Sequence, residues 1–259
     1  MSTNETQPGL LSPRARAVVV TYGLALVGFA LGIGVVLVLA VAYLSVTGAD
    51  SISAVTELGL SLVGLQGVAF PILSIAYVRL SGHDWSFLNV RTPSLRQVGW
   101  AVLAFLGAFV LALVAASVVQ FLGLEAASNS SAETAQQNPE IIPYMIVAAI
   151  LLIGPGEELL FRGVIQGTLR EYFSAPAAIL LASGAFAPLH IFALIGDLQA
   201  GLVTIAVLFI PSLAFGYSYE RTQNLVVPAF AHGLYDALLF AFIYLATAYG
   251  PETQSLLVF

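Results

Sequence analysis

Two adjacent acids, Glu157 and Glu158, with Arg162 four residues on, interrupt an apolar run in the stretch GPGEELLFRG at 154–163. A charge at the centre of a membrane helix costs about 2.5–3.5 kcal/mol on insertion scales, so three of them need a reason. Glu158 and Arg162 supply their own, since residues four apart share a helix face and the acid-first order is the favourable one. Glu157 is left over, turned about 100° away toward Phe161 and Val164, with no cation in its own helix. A carboxylate so placed is a candidate general base. Gly154, Pro155 and Gly156 just before it are expected to break the regular helix and let backbone and water approach. Two further apolar stretches answer the first. FAPLHIF pairs Phe186 with His190, with Pro188 loosening the helix between them, and AHGLYD pairs His232 with Asp236. An acid and two imidazoles can activate water and stabilise an oxyanion. Two His and one or two carboxylates can equally hold Zn²⁺ with a position open for water, with His190, His232 and Asp236 as candidate ligands. The choice between metal and an unaided Glu–His pair stays open at this level.

The elements that must position these groups are membrane helices. The chain of 259 residues is 59% hydrophobic and 8% charged, against about 25% charged for a soluble domain. Apolar runs at about 17–46, 58–78, 98–122, 141–172, 176–195, 201–219 and 226–248 each reach the ~17–25 residues that cross the hydrocarbon. The expected fold is an all-α, polytopic membrane helical bundle of about seven spans, with an eighth conceivable because 141–172 is long for one crossing. The first run is too long for the ~7–15-residue core of a cleavable signal and is read as a retained anchor. Arg14, Arg16, Arg79, Arg91, Arg96, Arg170 and Arg221 fall on one side of such a bundle, and the loops at 47–57, 123–140 and 196–200 contain neither Arg nor Lys. By the positive-inside rule this places a multi-pass protein in the cell membrane with its N-terminus cytoplasmic and its C-terminus external.

The division along the chain follows: a cytoplasmic tail at 1–16, accessory spans at 17–122, a polar external loop at 123–140, a catalytic helical core at 141–248 and a tail at 249–259. The spans at 17–46, 58–78 and 98–122 hold no ionisable side chain of Asp, Glu, Arg, Lys or His, so chemistry is expected in the second half. Gly28 and Gly32 read as small-residue helix packing. His83, in SGHDWSF, reads as a solvated loop residue. At ~1.5 Å per residue, Glu157, His190 and Asp236 lie about 15–23 Å from the cytoplasmic helix ends and His232 about 9 Å, close enough in depth to meet.

The set Glu157-Glu158-x-x-x-Arg162, Phe186-x-x-x-His190 and His232-x-x-x-Asp236, in that order and all on expected membrane helices, resembles the three motifs of the CAAX prenyl endopeptidase and bacteriocin-processing (CPBP, abortive-infection) family of intramembrane proteases. The resemblance spans about 141–240. It implies a helical membrane core and endopeptidase activity toward peptide tails, prenylated ones included. Carried over, it makes Glu157 the water-activating base and His190 its partner, as metal ligand or proton shuttle. His232 and Asp236 would stabilise the oxyanion, while Glu158, Arg162 and Phe186 give structural support. The family's last position is often Asn. An ionised Asp236 would repel an oxyanion, so it would have to be protonated, orient His232 or help hold a cation. The resemblance carries the label metalloprotease with it, with Zn the candidate metal.

Composition narrows the alternatives. Cysteine is absent, which excludes thiolate chemistry and disulfides. A net charge of −6 without lysine gives no basic footprint for nucleic acid. No His-Glu-x-x-His helix occurs, and neither the intramembrane aspartyl-protease pattern nor the rhomboid pattern is complete. The expected partners are the lipid bilayer and a peptide or lipidated protein substrate reaching the site from the cytoplasmic face. A proton- or ion-coupled transporter also uses intramembrane acids and histidines, although no repeat symmetry supports it. A catalytically silent membrane scaffold or immunity protein is the third reading.

Overall fold

The structure is a computed structural model and describes residues 11–250; residues 1–10 and 251–259, the outer parts of the two expected tails, lie outside the described residues. The described chain is helical: α1 Pro13–Thr47, α2 Ala54–Ser81, α3 Leu95–Phe121, the short α4 Ser130–Gln137, α5 Pro139–Arg170, α6 Ala175–Ala193, α7 Leu198–Thr222 and α8 Val226–Tyr249. All but α4 are long and apolar enough to cross a membrane, giving seven spans among the described residues. The long run around α5 is one helix and not two. Local sequence sets the ends. Ser12 caps α1 ahead of Pro13, Ser94 and Gln97 form a capping box on α3, and Asp197 caps α7. In each case a side-chain oxygen satisfies a backbone N–H that the first helical turn leaves open.

A small feature absent from the sequence reading is a two-residue antiparallel ladder, Ser128↔Ile195 and Asn129↔Leu194. It fastens the segment ahead of α4 to the end of α6. Thr204 Oγ1 donates to the Ala127 carbonyl (3.0 Å), and the Asn129 side chain caps α4 through Ser131 N (2.9 Å). His83, partly exposed in its loop, has its ring between Ser81 Oγ and Glu171 Oε1, each at 2.7 Å, and joins the α2–α3 loop to the end of α5.

Packing relies on small residues. On α3, Ala101, Ala104, Ala108, Ala112 and Ala115 are buried at spacings of three and four residues, along the side that meets α7 and α8. Gly28 and Gly32 of α1 are buried against Leu160, Leu73 and Leu65, so both serve helix packing. Between α1, α2, α5 and α6, Phe70, Leu160, Val164, Ile165, Leu169 and Ala182 fill a dry core on the arginine-bearing side of Glu157.

Three stretches wind more widely than an α-helix, with π-type turns at Val63–Ala69 in α2 and at Ala149–Ile153 and Leu159–Gln166 in α5. Such windings are rare and concentrate at functional sites. Here they flank the acidic pair and face it. The expected helix break at Gly154-Pro155-Gly156 does not occur: Gly154–Glu158 is regular α-helix. The glycines act by bareness instead. A Cβ on Gly154 would strike the Ala229 carbonyl oxygen and lie 2.7 Å from Gly233 N, and one on Gly156 would strike the Gln66 carbonyl. They let α8 and α2 reach the backbone of α5. Gly154→Ala is therefore expected to destabilise by about 1–3 kcal/mol, as overpacked sites do. Thermal melting in detergent checks this, and an unchanged Tm contradicts it.

Candidate functional site

Helix α5 brings Glu157 and Glu158 into the bundle on adjacent positions, and their surroundings separate them. Glu158 is fully buried, with Oε2 3.0 Å from Arg162 Nε and Oε1 2.9 Å from His232 Nδ1. Paired with a guanidinium, Glu158 is the acceptor, so His232 Nδ1–H donates to it. Arg162, also fully buried, donates through Nη2 to Ser212 Oγ (2.8 Å) and to the Ser212 carbonyl (3.2 Å). Ser212 in turn donates to Ser183 Oγ at 3.0 Å. The guanidinium also sits 5.6 Å from the centre of the Phe186 ring, over its face. A chain of polar contacts thus crosses α8, α5, α7 and α6.

Glu157 faces elsewhere. Its Oε1 accepts from Gln66 Nε2 of α2 at 3.1 Å, and its Oε2 lies 3.8 Å from His232 Nε2. Asp236 Oδ2 lies 3.5 Å from the same nitrogen. His232 is therefore held at one ring nitrogen by Glu158 and presents the other to Glu157 and Asp236. Its ring stacks on Phe215, with centroids 4.7 Å apart and planes 18° from parallel. Phe186 stands edge-on between the two imidazoles, 4.7 Å from His190 and 5.8 Å from His232 by ring centroids. The 3-10 winding of Ala187–Ala193, begun by Pro188, carries His190.

A cavity of about 500 Å³ opens onto this arrangement, with Glu157, Gln66, His190 and Phe186 in its wall. The remaining wall is mostly apolar and comes from α1, α2 and α6, with Glu57 and Ser61 of α2 and Ser130, Ser131 and Thr134 of α4 as its other polar residues. A mostly apolar wall around a buried carboxylate suits a ligand that is largely apolar with a polar point to be read.

Residues 139–238 match the Rce1-like family, described as type II CAAX prenyl endopeptidase Rce1-like. No curated protein and no solved structure matches the chain. The Rce1-like segment contains every motif residue from Glu157 to Asp236, and the chain that carries it is a multi-pass membrane protein.

All the sequence candidates lie in one neighbourhood. Glu157, Glu158, Arg162, His232 and Asp236 form one linked set, Phe186 packs on both histidines, and His190 shares the cavity with Glu157. Two contacts escaped the sequence reading. Gln66 lies on α2, outside the Rce1-like segment, in a span read as free of chemistry; an amide alone in VGLQGVAF was the available signal. The grip of Glu158 on His232 was the other, because the Arg162 pair already accounted for that acid.

The fit to a metal is poor as these side chains stand. Among the described residues no group of three or more His, Asp and Glu is arranged to hold a metal ion. His232 Nδ1 is bonded to Glu158, which leaves Nε2 as its one free ring nitrogen.

Proposed function

We propose that this protein is an intramembrane endopeptidase that hydrolyses a peptide bond in a membrane-associated, lipidated or otherwise tethered substrate, using water activated by Glu157 and His190. The observation that carries this reading is the position of the Glu157 carboxylate: held at one oxygen by Gln66, it sits in the wall of the cavity that also receives His190. The match of 139–238 to a peptidase family supports the reaction class.

A water at the inner end of the cavity gives a proton to Glu157, helped by His190, and its oxygen bonds to the scissile carbonyl carbon. The carbonyl oxygen takes up the negative charge of the tetrahedral intermediate. His232, fixed by Glu158 and Phe215, presents a donor to that oxygen, the type of contact that usually contributes most in acyl transfer. The C–N bond then breaks, and the proton on Glu157 passes to the leaving nitrogen. One water is consumed, and a carboxylic acid and an amine are released, the acid's proton then passing to the amine to leave carboxylate and ammonium.

Asp236 lies beside His232 Nε2, where it orients the ring and balances charge. Asp236→Asn keeps the shape and supplies an amide donor, so cleavage is expected to stay within about tenfold of wild type, or about 1.4 kcal/mol. A steady-state assay reads this, and complete loss would make the carboxylate itself essential. With no cation required by this chemistry, cleavage by the purified protein should survive prolonged chelation; activity that stops with the chelator and returns with Zn²⁺ would refute the unaided Glu–His scheme.

The test of the function is direct. Protein purified in detergent is expected to cut a prenylated or membrane-anchored reporter peptide into two fragments, resolved by mass spectrometry. Intact reporter, together with proton-driven solute uptake into proteoliposomes, would replace the peptidase by a transporter.

A further inference from the structure

The cavity that reaches Glu157 has a direction. On α1 it is lined only from Phe29 to Leu37, on α2 only from Ala54 to Phe70, and on α6 only from Phe186 to Ala193; α4 adds Ser130, Ser131 and Thr134. These are the halves of α1, α2 and α6 farthest from Arg14, Arg16, Arg79 and Arg170. On the other side of Glu157 the bundle is closed by the dry core of Leu160, Val164, Ile165 and Leu169. The mouth therefore belongs to the face formed by the loops at 47–57, 123–140 and 196–200, which carry neither arginine nor lysine. Arginine-poor loops are the translocated ones.

From this we infer that substrate enters from the extracytoplasmic face, past α4, and not from the cytoplasm as the sequence reading supposed. The inference deepens the peptidase reading and rests on it for the word substrate. It selects a class: a membrane-tethered polypeptide whose scissile segment emerges on the outer side, with apolar residues or a lipid chain running down between α1, α2 and α6. Leu37 of α1 and Phe192 of α6 line this cavity and are themselves 61% and 69% exposed, so the cavity is open beside them. The helix α4 stands at that mouth and is anchored by the ladder to the end of α6, the same segment that carries His190. Whatever passes α4 arrives directly at the chemistry.

The absence of cysteine makes the test clean, because single cysteines can be placed in the full-length protein without background. Ser131→Cys marks the mouth, Ser61→Cys marks the cavity between mouth and Glu157, and Thr92→Cys marks the opposite loop. Each is challenged with a membrane-impermeant maleimide in right-side-out and inside-out vesicles. The expected result is that Ser131→Cys and Ser61→Cys react in right-side-out vesicles and Thr92→Cys only in inside-out ones. Reaction of the residue-61 thiol only from the side that labels position 92, or from neither side, overturns the inference, as does reaction of Thr92→Cys from outside. Reporter cleavage is measured on the same preparations, and a bulky adduct at position 61 should abolish it while one at position 92 leaves it unchanged. Labelling as expected without any cleavage would reject the peptidase and leave the entrance standing; cleavage with the labelling reversed would do the opposite.

Discussion

Glu157→Gln is expected to lower the rate of reporter cleavage by about 10²–10⁴-fold, the range that general acid–base catalysis supplies, without lowering the melting temperature. The substitution is nearly isosteric, and its amide can still accept from Gln66 Nε2 through the retained oxygen. Glu157 is 8% exposed, and its second oxygen stands 3.8 Å from His232 Nε2, longer than a hydrogen bond, so little of the fold depends on its charge. What disappears is the capacity to take a proton from water. KM should therefore move little while kcat collapses, the pattern of a contact used in the transition state. Wild-type turnover in this variant would remove Glu157 from the mechanism. An equal fall in Tm would make it a structural acid like its neighbour.

Arg162→Met should give the largest loss of stability of any substitution at the site, about 3–5 kcal/mol, the cost of stripping one partner from a buried pair. The guanidinium is fully buried and serves Glu158, Ser212 and the face of Phe186 at once. Removing it leaves Glu158 charged in an apolar interior with only His232 as partner, and frees Ser212 from the link to α5. Replacing both partners, as in Glu158→Gln with Arg162→Met, should recover part of the loss in Tm, because no uncompensated charge remains. Activity should stay low in the double variant, since Glu158 also holds Nδ1 of His232. A single Arg162→Met variant that melts with wild type would mean the pair contributes nothing to the fold.

The contrast between the two adjacent acids was legible from helix geometry alone. Four-residue spacing assigned Glu158 to Arg162 and left Glu157 facing another way, and the contacts follow that division even though α5 widens to π-type turns from Leu159 onward. The seven spans were legible because length and hydropathy bear directly on crossing a bilayer. The partner across the bundle was not. Gln66 meets Glu157 from 91 residues away in sequence, and an uncharged amide leaves no imprint on hydropathy comparable to a carboxylate's. The wide turns were equally invisible, because a π-type turn changes backbone register without changing composition. Gly154 and Gly156 were seen as special for the wrong reason. They were read as helix breakers, whereas they keep the helix and admit neighbouring backbones. Depth counted along single helices sets His232 apart from the rest, yet its Nε2 lies 3.8 Å from Glu157, because close approach at Gly154 and Gly233 brings α8 against α5.

The proposed chemistry requires Glu157 and His190 to share a water at the inner end of the cavity, with His232 turned toward the oxyanion. A peptide with a phosphinic group in place of the scissile amide mimics that tetrahedral species, and a density map of its complex shows where the group sits. One phosphinyl oxygen is expected between Glu157 and His190 and the other within hydrogen-bond reach of His232, with the peptide leaving past α4. A phosphinyl group bound away from Glu157, or a His190 ring turned out toward the lipid in that complex, would contradict it.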